Sequence, residues 1–424
     1  MKNKKSKMLY KILNSKISKS IFVLAIVIIF FIVGKLFIQK EDVSISDFFE
    51  FKTATTISLT GGITILIVYI NKLLELRLEE AFKIEDNYHE IIDDYNKYLL
   101  KNDKVKLLYV ENIDLSSKKD KCLKVYEAYK QNKLYIPVIS IYENLDKTAK
   151  LTINDNPNKF YEPNYFIQKH YDELLLAHKT STLTNSLKVR IDDYKVEDNK
   201  LTIDTSRTTY FDSMVTNRAM DYKFNSSIPT IREMYEFDNI LTDLNKSKLS
   251  NHVGINGLLI TKDNYCLVFK RNRKKSISKN KLGPTVSSSM DYYKAVNEHD
   301  EFTTDGLINA VRKSLLKNVG DLDYNLSIEN NLVGLTRDLT EGGKPNFFFI
   351  FELNIGKDEL EKSVKEVSSQ NKKGDLPIIV KVDDIKPNYD YFTKITYNNK
   401  KHVVDCSHPL LVCLAYYQMI FKNK

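Results

Sequence analysis

The sequence predicts an α+β protein whose N-terminal part is a two-helix transmembrane hairpin. Three observations lead to this fold class. Two apolar runs occur early in the chain, a helical amphipathic pattern follows them, and from about residue 107 short β-prone runs alternate with turn clusters and helices. The composition, with 42% hydrophobic and 28% charged residues among 424, is that of a globular protein with a sizeable core.

Two predicted membrane spans begin the chain. The run at residues 21–34, IFVLAIVIIFFIVG, contains no charged or polar side chain, and no small-x-small cleavage site follows it. The second run, residues 54–70, is less apolar, and its Gly61-Gly62 pair would let another helix approach closely. Both runs are near the lower limit of about 17 residues for crossing a ~30 Å hydrocarbon core. The sequence therefore predicts two short, retained spans within residues 1–75.

Charges beside these runs predict an orientation and a location. Seven lysines precede the first run, whereas the connecting loop at residues 39–53 has four acids and two lysines. By the positive-inside rule, both termini are expected in the cytoplasm, and the expected location is the inner (plasma) membrane with the lipid bilayer as a partner. The same lysines supply most of the formal net charge of +9. The nearly balanced remainder argues against nucleic acid as a partner.

The segment that follows is predicted as a stalk helix and an accessory region. Apolar residues recur at three- and four-residue steps through residues 76–100, and this face could pack on the rest of the chain or on a second copy in a homo-oligomer. Residues 101–250 alternate strands with short helices and contain no catalytic motif, so we expect an α+β accessory region there. The four cysteines are widely spaced without a CxxC pair, and no cofactor is predicted.

Residues 251–424 have the most regular pattern. Two apolar runs flank the turn Lys262-Asp263-Asn264, which predicts a β-hairpin. A loop, KLGPTVSSSM, comes next, followed by a helix that Asp305 opens and Gly320 ends. The run PNFFFIFELNI is strongly β-prone, and the closing apolar helix contains Pro409 and is too short for a third span, so we expect it in the core.

This order of elements resembles the Nudix hydrolase family. The resemblance covers about residues 251–355 and rests on AVRKSLLKNVG, which is similar to the family's helix A-x-R-E-x-x-E-E-x-G. With Gly320 on the closing glycine, Lys313 stands at the arginine, Ser314 at the first glutamate of the cluster, and Lys317 and Asn318 at the Glu-Glu pair. The resemblance implies a Nudix-like α/β/α sandwich with a C-terminal extension.

The substitutions in this box remove the chemistry that the family uses. Intact boxes hold Mg²⁺ with carboxylates on one helical face, whereas a lysine ammonium repels the cation, so neither a metal site nor a catalytic residue is predicted. A face of lysine, serine and asparagine could instead receive phosphate oxygens, although such a face is also often just solvated. The predicted ligand-binding residues are Arg271, Ser287, Ser288, Ser289, Lys313, Ser314, Lys317, Asn318, Arg337 and Asn346.

The expected function is that of a membrane-anchored effector that senses a nucleotide-type small molecule. Its degenerate Nudix-like domain would bind the ligand and control assembly of the transmembrane helices, an architecture that resembles nucleotide-activated effectors of bacterial antiviral defence. Two alternatives remain open. One is a membrane-tethered phosphohydrolase whose metal site is rebuilt from other acids, such as Asp291 and Glu298; the other is a non-catalytic membrane scaffold.

Overall fold

Nine of the strands that the structure describes form one mixed sheet, and helices pack on both of its faces. The computed structural model describes residues 68, 88–102, 105–115, 132–176, 178, 184–224, 228–272, 278, 280–370, 375–397 and 400–422. All of these except the first belong to the unit Ala81–Lys424.

The secondary-structure elements of this unit are numbered in chain order. The strands are β1 Lys106–Val110, β2 Leu134–Glu143, β3 Lys150–Phe160, β4 Leu187–Glu197, β5 Lys200–Thr209, β6 Gly254–Thr261, β7 Tyr265–Lys270, β8 Leu282–Gly283, β9 Val286–Ser289, β10 Leu332–Asp338, β11 Lys344–Leu353, β12 Leu376–Lys381, β13 Phe392–Tyr397 and β14 Lys400–Asp405. The helices are α1 Tyr88–Asp94, α2 Asn96–Lys101, α3 Tyr165–Leu176, α4 Tyr210–Val215, α5 Ile231–Tyr235, α6 Tyr292–Ala295, α7 Thr304–Val319, α8 Ile328–Asn331, α9 Lys357–Gln370 and α10 His408–Phe421.

The transmembrane part of the sequence-based fold class is wrong. The described residues form a mixed α/β protein with large sheets, and no helix among them is long and apolar enough to cross a membrane. Helix α10 is apolar on nearly every side but has only 14 residues, which is short of the about 17 that a ~30 Å core requires. The spans expected at residues 21–34 and 54–70 lie outside the described residues, apart from Val68. The two-pass inner-membrane location rested on those spans and is corrected with the fold class.

The large sheet has the strand order β1-β2-β10-β11-β6-β7-β12, with β9 on the N-terminal half of β6 and β8 on β7. Strands β6 and β11 run parallel, and the other neighbouring strands run antiparallel. Strand β2 pairs with β10, so residues from the expected accessory region complete the same sheet as residues beyond 251. Strands β3, β5 and β4 form a second, three-stranded sheet.

The two faces of the large sheet have separate hydrophobic cores. Leu258 and Phe348 face α10, which is buried along most of its length as the sequence predicts. Ile255 and Phe349 face α7, because successive side chains of a strand point to opposite faces. The second core also contains residues of α9 and of the three-stranded sheet.

Two local predictions from the sequence are confirmed. Strands β6 and β7 form the expected antiparallel hairpin, whose turn contains Asn264 with a positive φ of 64°. Helix α7 ends before Gly320, whose φ of 100° favours glycine. The start of this helix lies two residues before the predicted one. Thr303 rather than Asp305 caps the helix, because its side chain accepts a hydrogen bond from the backbone N–H of Gly306.

Candidate functional site

Polar side chains gather at one end of the large sheet. Strands β6 and β11 begin there, whereas β7, β9 and β10, which run in the opposite direction, end there. Register places Gly254 opposite both Asn346 and Ser289, and Asn256 opposite Ser287. Directly opposed residues share a face, so these side chains lie on the face that packs against α10.

Five basic side chains from separate segments come together at this end, and we call them the basic cluster. They are Lys188 of β4, Arg218 of the turn after α4, His252 before β6, Arg271 after β7 and Lys344 of β11. Four of the five are less than 9% exposed, and Arg271 is partly buried. Electrostatic interactions connect His252 with three of the others and Arg271 with Arg218.

Arg218 and Lys344 share one carboxylate. The Arg218 Nη2 atom lies 2.8 Å from Glu341 Oε1, and Lys344 Nζ lies 3.2 Å from Glu341 Oε2. Lys344 also donates to the side-chain oxygen of Asn346 at 3.5 Å. A Cβ atom at Gly254 would fall 2.2 Å from that oxygen, so glycine is required there to admit the amide. The single negative charge of Glu341 is therefore shared between two buried cations.

The Lys188 ammonium lies between a carboxylate and an aromatic ring. Its Nζ forms an ion pair with Asp291, which also binds Lys294. The same Nζ is 5.4 Å from the centroid of the Tyr210 ring, whose centroid is 6.1 Å from that of His252. An aromatic face partly compensates a desolvated cation, and this arrangement holds Lys188 at the edge of the cluster.

Arg271 has no ion-pair partner among the described residues. Its Nη1 donates to the Ser287 hydroxyl at 3.0 Å, and its Nε has no hydrogen-bond partner in the described part of the chain. Asp375 attracts the guanidinium electrostatically without an ion-pair contact. Among the described residues, this arginine is therefore the only lysine or arginine of the cluster without an ion-pair partner.

Burial sets the electrostatics of the cluster. It lowers the pKa of Lys188, Lys344 and Arg271, because loss of water disfavours the charged form. The pKa of His252 lies well below its usual range for the same reason, reinforced by the neighbouring cations, so its imidazole is neutral at pH 7. Among the described residues, His252 Nδ1 and Arg218 Nε lack hydrogen-bond partners.

The structure brings together three of the sequence-predicted ligand-binding residues. Arg271, Ser287 and Asn346 lie at the cluster, and Ser289 lies on the same face at Gly254. Ser288 points to the opposite face by strand alternation and is exposed. In the sequence, Arg271 and Asn346 were selected as polar residues beside β-prone runs, and Ser287 as part of the loop KLGPTVSSSM.

The remaining predicted residues lie away from the cluster. On α7, which packs on the other face, Ser314 donates to Ala310 O at 3.0 Å and Asn318 donates to Thr285 O at 2.7 Å. Lys313 and Lys317 are exposed, and Lys313 Nζ is 3.4 Å from the carbonyl oxygen of Lys294.

Arg337 also points away from the basic cluster. It is buried, and it donates to Thr242 O at 2.7 Å and to Gly343 O at 2.9 Å. These contacts fix the loop before β11 rather than leaving the guanidinium available to a ligand.

Lys188, Arg218 and His252 are not among the ligand-binding residues that the sequence predicts. Two of these come from a region without a recognisable motif, and their only signal is the burial of a charged side chain, which sequence does not show. In the described part of the chain, no group of three or more His, Cys, Asp or Glu side chains is placed to hold a metal ion.

Comparison of the chain with known protein families and with curated proteins found no match to either.

Proposed function

We propose that this protein binds a phosphate-bearing, nucleotide-type small molecule at the basic cluster and leaves it intact. The observation that carries the proposal is an excess of buried cations. Among the described residues, Lys188 forms an ion pair with Asp291, and Arg218 and Lys344 share Glu341, whereas Arg271 forms none. Asp291 is in addition shared with an exposed lysine.

Such an arrangement is costly without a ligand. A buried charge that lacks a partner destabilises the folded state by several kcal/mol, and removing one partner of a buried pair costs about 3–5 kcal/mol. A phosphate group would supply negative charge and accept hydrogen bonds from the Nε–H groups of Arg271 and Arg218, which have no partner among the described residues. The serine and asparagine side chains beside these cations could bind the ligand's remaining polar atoms.

The arrangement of strands and the residues of α7 favour ligand binding over hydrolysis. The parallel pair β6–β11, the antiparallel β9 and the following α7 agree with a Nudix-like arrangement, which we propose for this part of the chain. The positions that the resemblance assigns to metal-binding glutamates hold Ser314, Lys317 and Asn318. Ligand binding is therefore expected to depend on charge-assisted hydrogen bonds and to need no Mg²⁺.

The experiment is a binding titration on the full-length protein with inorganic pyrophosphate, ADP and cyclic di-AMP, each in Mg²⁺ and in EDTA. We expect binding that persists in EDTA and ligand that is recovered intact. The Arg271→Gln variant should weaken affinity at least about tenfold, the effect of losing one charge-assisted hydrogen bond of about 1.5 kcal/mol or more. Arg312→Gln, at an exposed arginine of α7, is the matched control and should leave the affinity unchanged.

Three other outcomes would overturn the proposal. Ligand breakdown that requires Mg²⁺ would favour a hydrolase, and absence of binding to every probe would favour a scaffold. Binding that Lys317→Gln weakens while Arg271→Gln does not would move the site to the exposed face of α7. Lys317→Gln therefore distinguishes a ligand site on α7, which the sequence predicts, from a ligand site at the basic cluster.

A further inference from the structure

Helix α10 begins at the end of the sheet that holds the basic cluster. Its 14 residues start at His408, which contacts Asp338 at the end of β10, and the Tyr416 side chain further along the helix lies against Gly334 of the same strand. At this N-terminus the backbone N–H of Ser407 donates to Leu282 O, that of Leu410 donates to Ser407 O, and Pro409 has none, so the positive end of the helix dipole is what favours an anion here. That positive end is directed toward the same end of the sheet as the cluster.

Two buried polar atoms at this N-terminus have no hydrogen-bond partner in the described part of the chain. Ser407 occupies the N-cap position and is 2% exposed, yet its hydroxyl caps no backbone N–H and its Oγ is unpartnered. His408 is 8% exposed; its Nδ1 lies 3.4 Å from Asp338 Oδ2, whereas its Nε2 is unpartnered. A buried hydroxyl without a partner costs about 1–3 kcal/mol, so a ligand that hydrogen-bonds these two atoms would stabilise the site.

Contacts connect the N-terminus of α10 to the cluster on two sides. The backbone N–H of Ser407 donates to Leu282 O at 2.9 Å, in the strand whose next residue, Gly283, lies against the side chain of Arg271. On the other side, Asp338 bonds to His408 and pairs in register with Lys344. The helix start therefore lies between two cations of the cluster.

We infer that the N-terminus of α10 is an anion subsite of the ligand site, in which Ser407 donates its hydroxyl to a phosphate group. The inference rests on the proposed function, since the same phosphate-bearing ligand would contact the basic cluster. His408 presents Nε2 to the ligand while Asp338 holds its other ring nitrogen. Phosphate at this place combines the helix dipole with charge-assisted hydrogen bonds, a combination that favours anions at helix starts.

The test compares two serine-to-alanine variants at helix N-caps. Ser407→Ala should weaken binding of pyrophosphate about tenfold or more, because a hydrogen bond to a charged group is lost. Without ligand, Ser407→Ala should keep or raise the melting temperature, since the Ser407 hydroxyl makes no hydrogen bond to the described part of the chain. The matched control is Ser327→Ala at α8, where Oγ accepts from Asn330 N–H at 3.1 Å; this variant should lower the melting temperature and leave affinity unchanged.

The outcomes separate this inference from the proposed function. If the wild-type protein binds none of pyrophosphate, ADP and cyclic di-AMP, the proposed function and the subsite are both refuted. If wild type binds and Arg271→Gln weakens binding while Ser407→Ala does not, the proposed function stands and the subsite is refuted. If Ser407→Ala weakens the binding of pyrophosphate and ADP only, the group bound at the subsite is a terminal phosphate. If it also weakens the binding of cyclic di-AMP, the subsite accepts phosphodiesters as well. Both results support the subsite.

Discussion

Glu341 offers the sharpest perturbation of the basic cluster, because this one carboxylate forms ion pairs with both Arg218 and Lys344. Replacing it by glutamine keeps the shape but removes the charge, and it leaves Arg218 and Lys344 without an ion-pair partner among the described residues, although Asp338 still attracts Lys344. Breaking a buried pair typically destabilises a protein by about 3–5 kcal/mol, so we expect the free energy of unfolding of Glu341→Gln to fall by about 3 kcal/mol or more.

The same variant should bind phosphate more tightly. With Glu341 neutral, a ligand phosphate becomes the anion closest to both cations, and it no longer competes with a carboxylate for them. We expect a lower Kd for pyrophosphate and a larger ligand-induced rise in melting temperature than in wild type. Urea denaturation and calorimetric titration of the full-length protein measure the two effects.

Glu352→Gln provides the control, because Glu352 is exposed and pairs with Lys147 at the surface. Surface pairs contribute about 0–1 kcal/mol, so neither stability nor affinity should change appreciably. The reasoning is refuted if Glu341→Gln is as stable as wild type, or if it loses stability while its affinity for pyrophosphate also falls.

Two further predictions concern the rest of the fold. Burial raises the pKa of Glu236 to about 8, so the folded protein holds a proton that the unfolded chain has lost, and wild type should lose several kcal/mol of stability between about pH 4.5 and 8. Denaturation of Glu236→Gln across this range should show a flatter profile, and identical profiles would contradict the assignment. In α7, a Cβ at Gly306 would lie 1.8 Å from Ala295 O, so Gly306→Ala should cost about 2 kcal/mol although alanine favours helices. Ser314→Ala in the same helix is the control and should change the melting temperature little; equal effects of the two would refute the packing argument.

Local patterns in the sequence predict part of this fold. The β6–β7 hairpin and α7 follow from apolar periodicity with turn and cap residues, which depend on neighbours within a few positions. The exact cap was missed because Thr303 and Asp305 are both good N-terminal residues, and only the backbone geometry decides between them. The pairing of β2 with β10 joins segments almost 200 residues apart, and no local pattern encodes it.

The candidate site divides in the same way. Ser287 was selected from the loop KLGPTVSSSM, and Arg271 and Asn346 were predictable because they are polar residues beside strands that the sequence indicates. Lys188 and Arg218 were not, since their role depends on tertiary burial next to residues far along the chain. The helical spacing on α7 predicts which residues share a face, but it does not tell whether that face meets the ligand or the solvent.

The transmembrane hairpin was inferred from a local criterion, namely two apolar runs with lysines before the first and no cleavage site after it. That criterion describes what a segment could do in a bilayer and contains no information about the rest of the protein. In the described residues, the apolar side chains of long runs such as β11 and α10 are buried against each other in a mixed α/β core.

The measurement that tests the central claim most directly is a crystal structure of the full-length protein with pyrophosphate in EDTA. The account predicts phosphate oxygens within hydrogen-bond distance of Arg271, Arg218 and Lys344, with no metal ion between them. Pyrophosphate bound beside Lys317 on α7, or a basic cluster that stays without anion at saturating ligand, would contradict it.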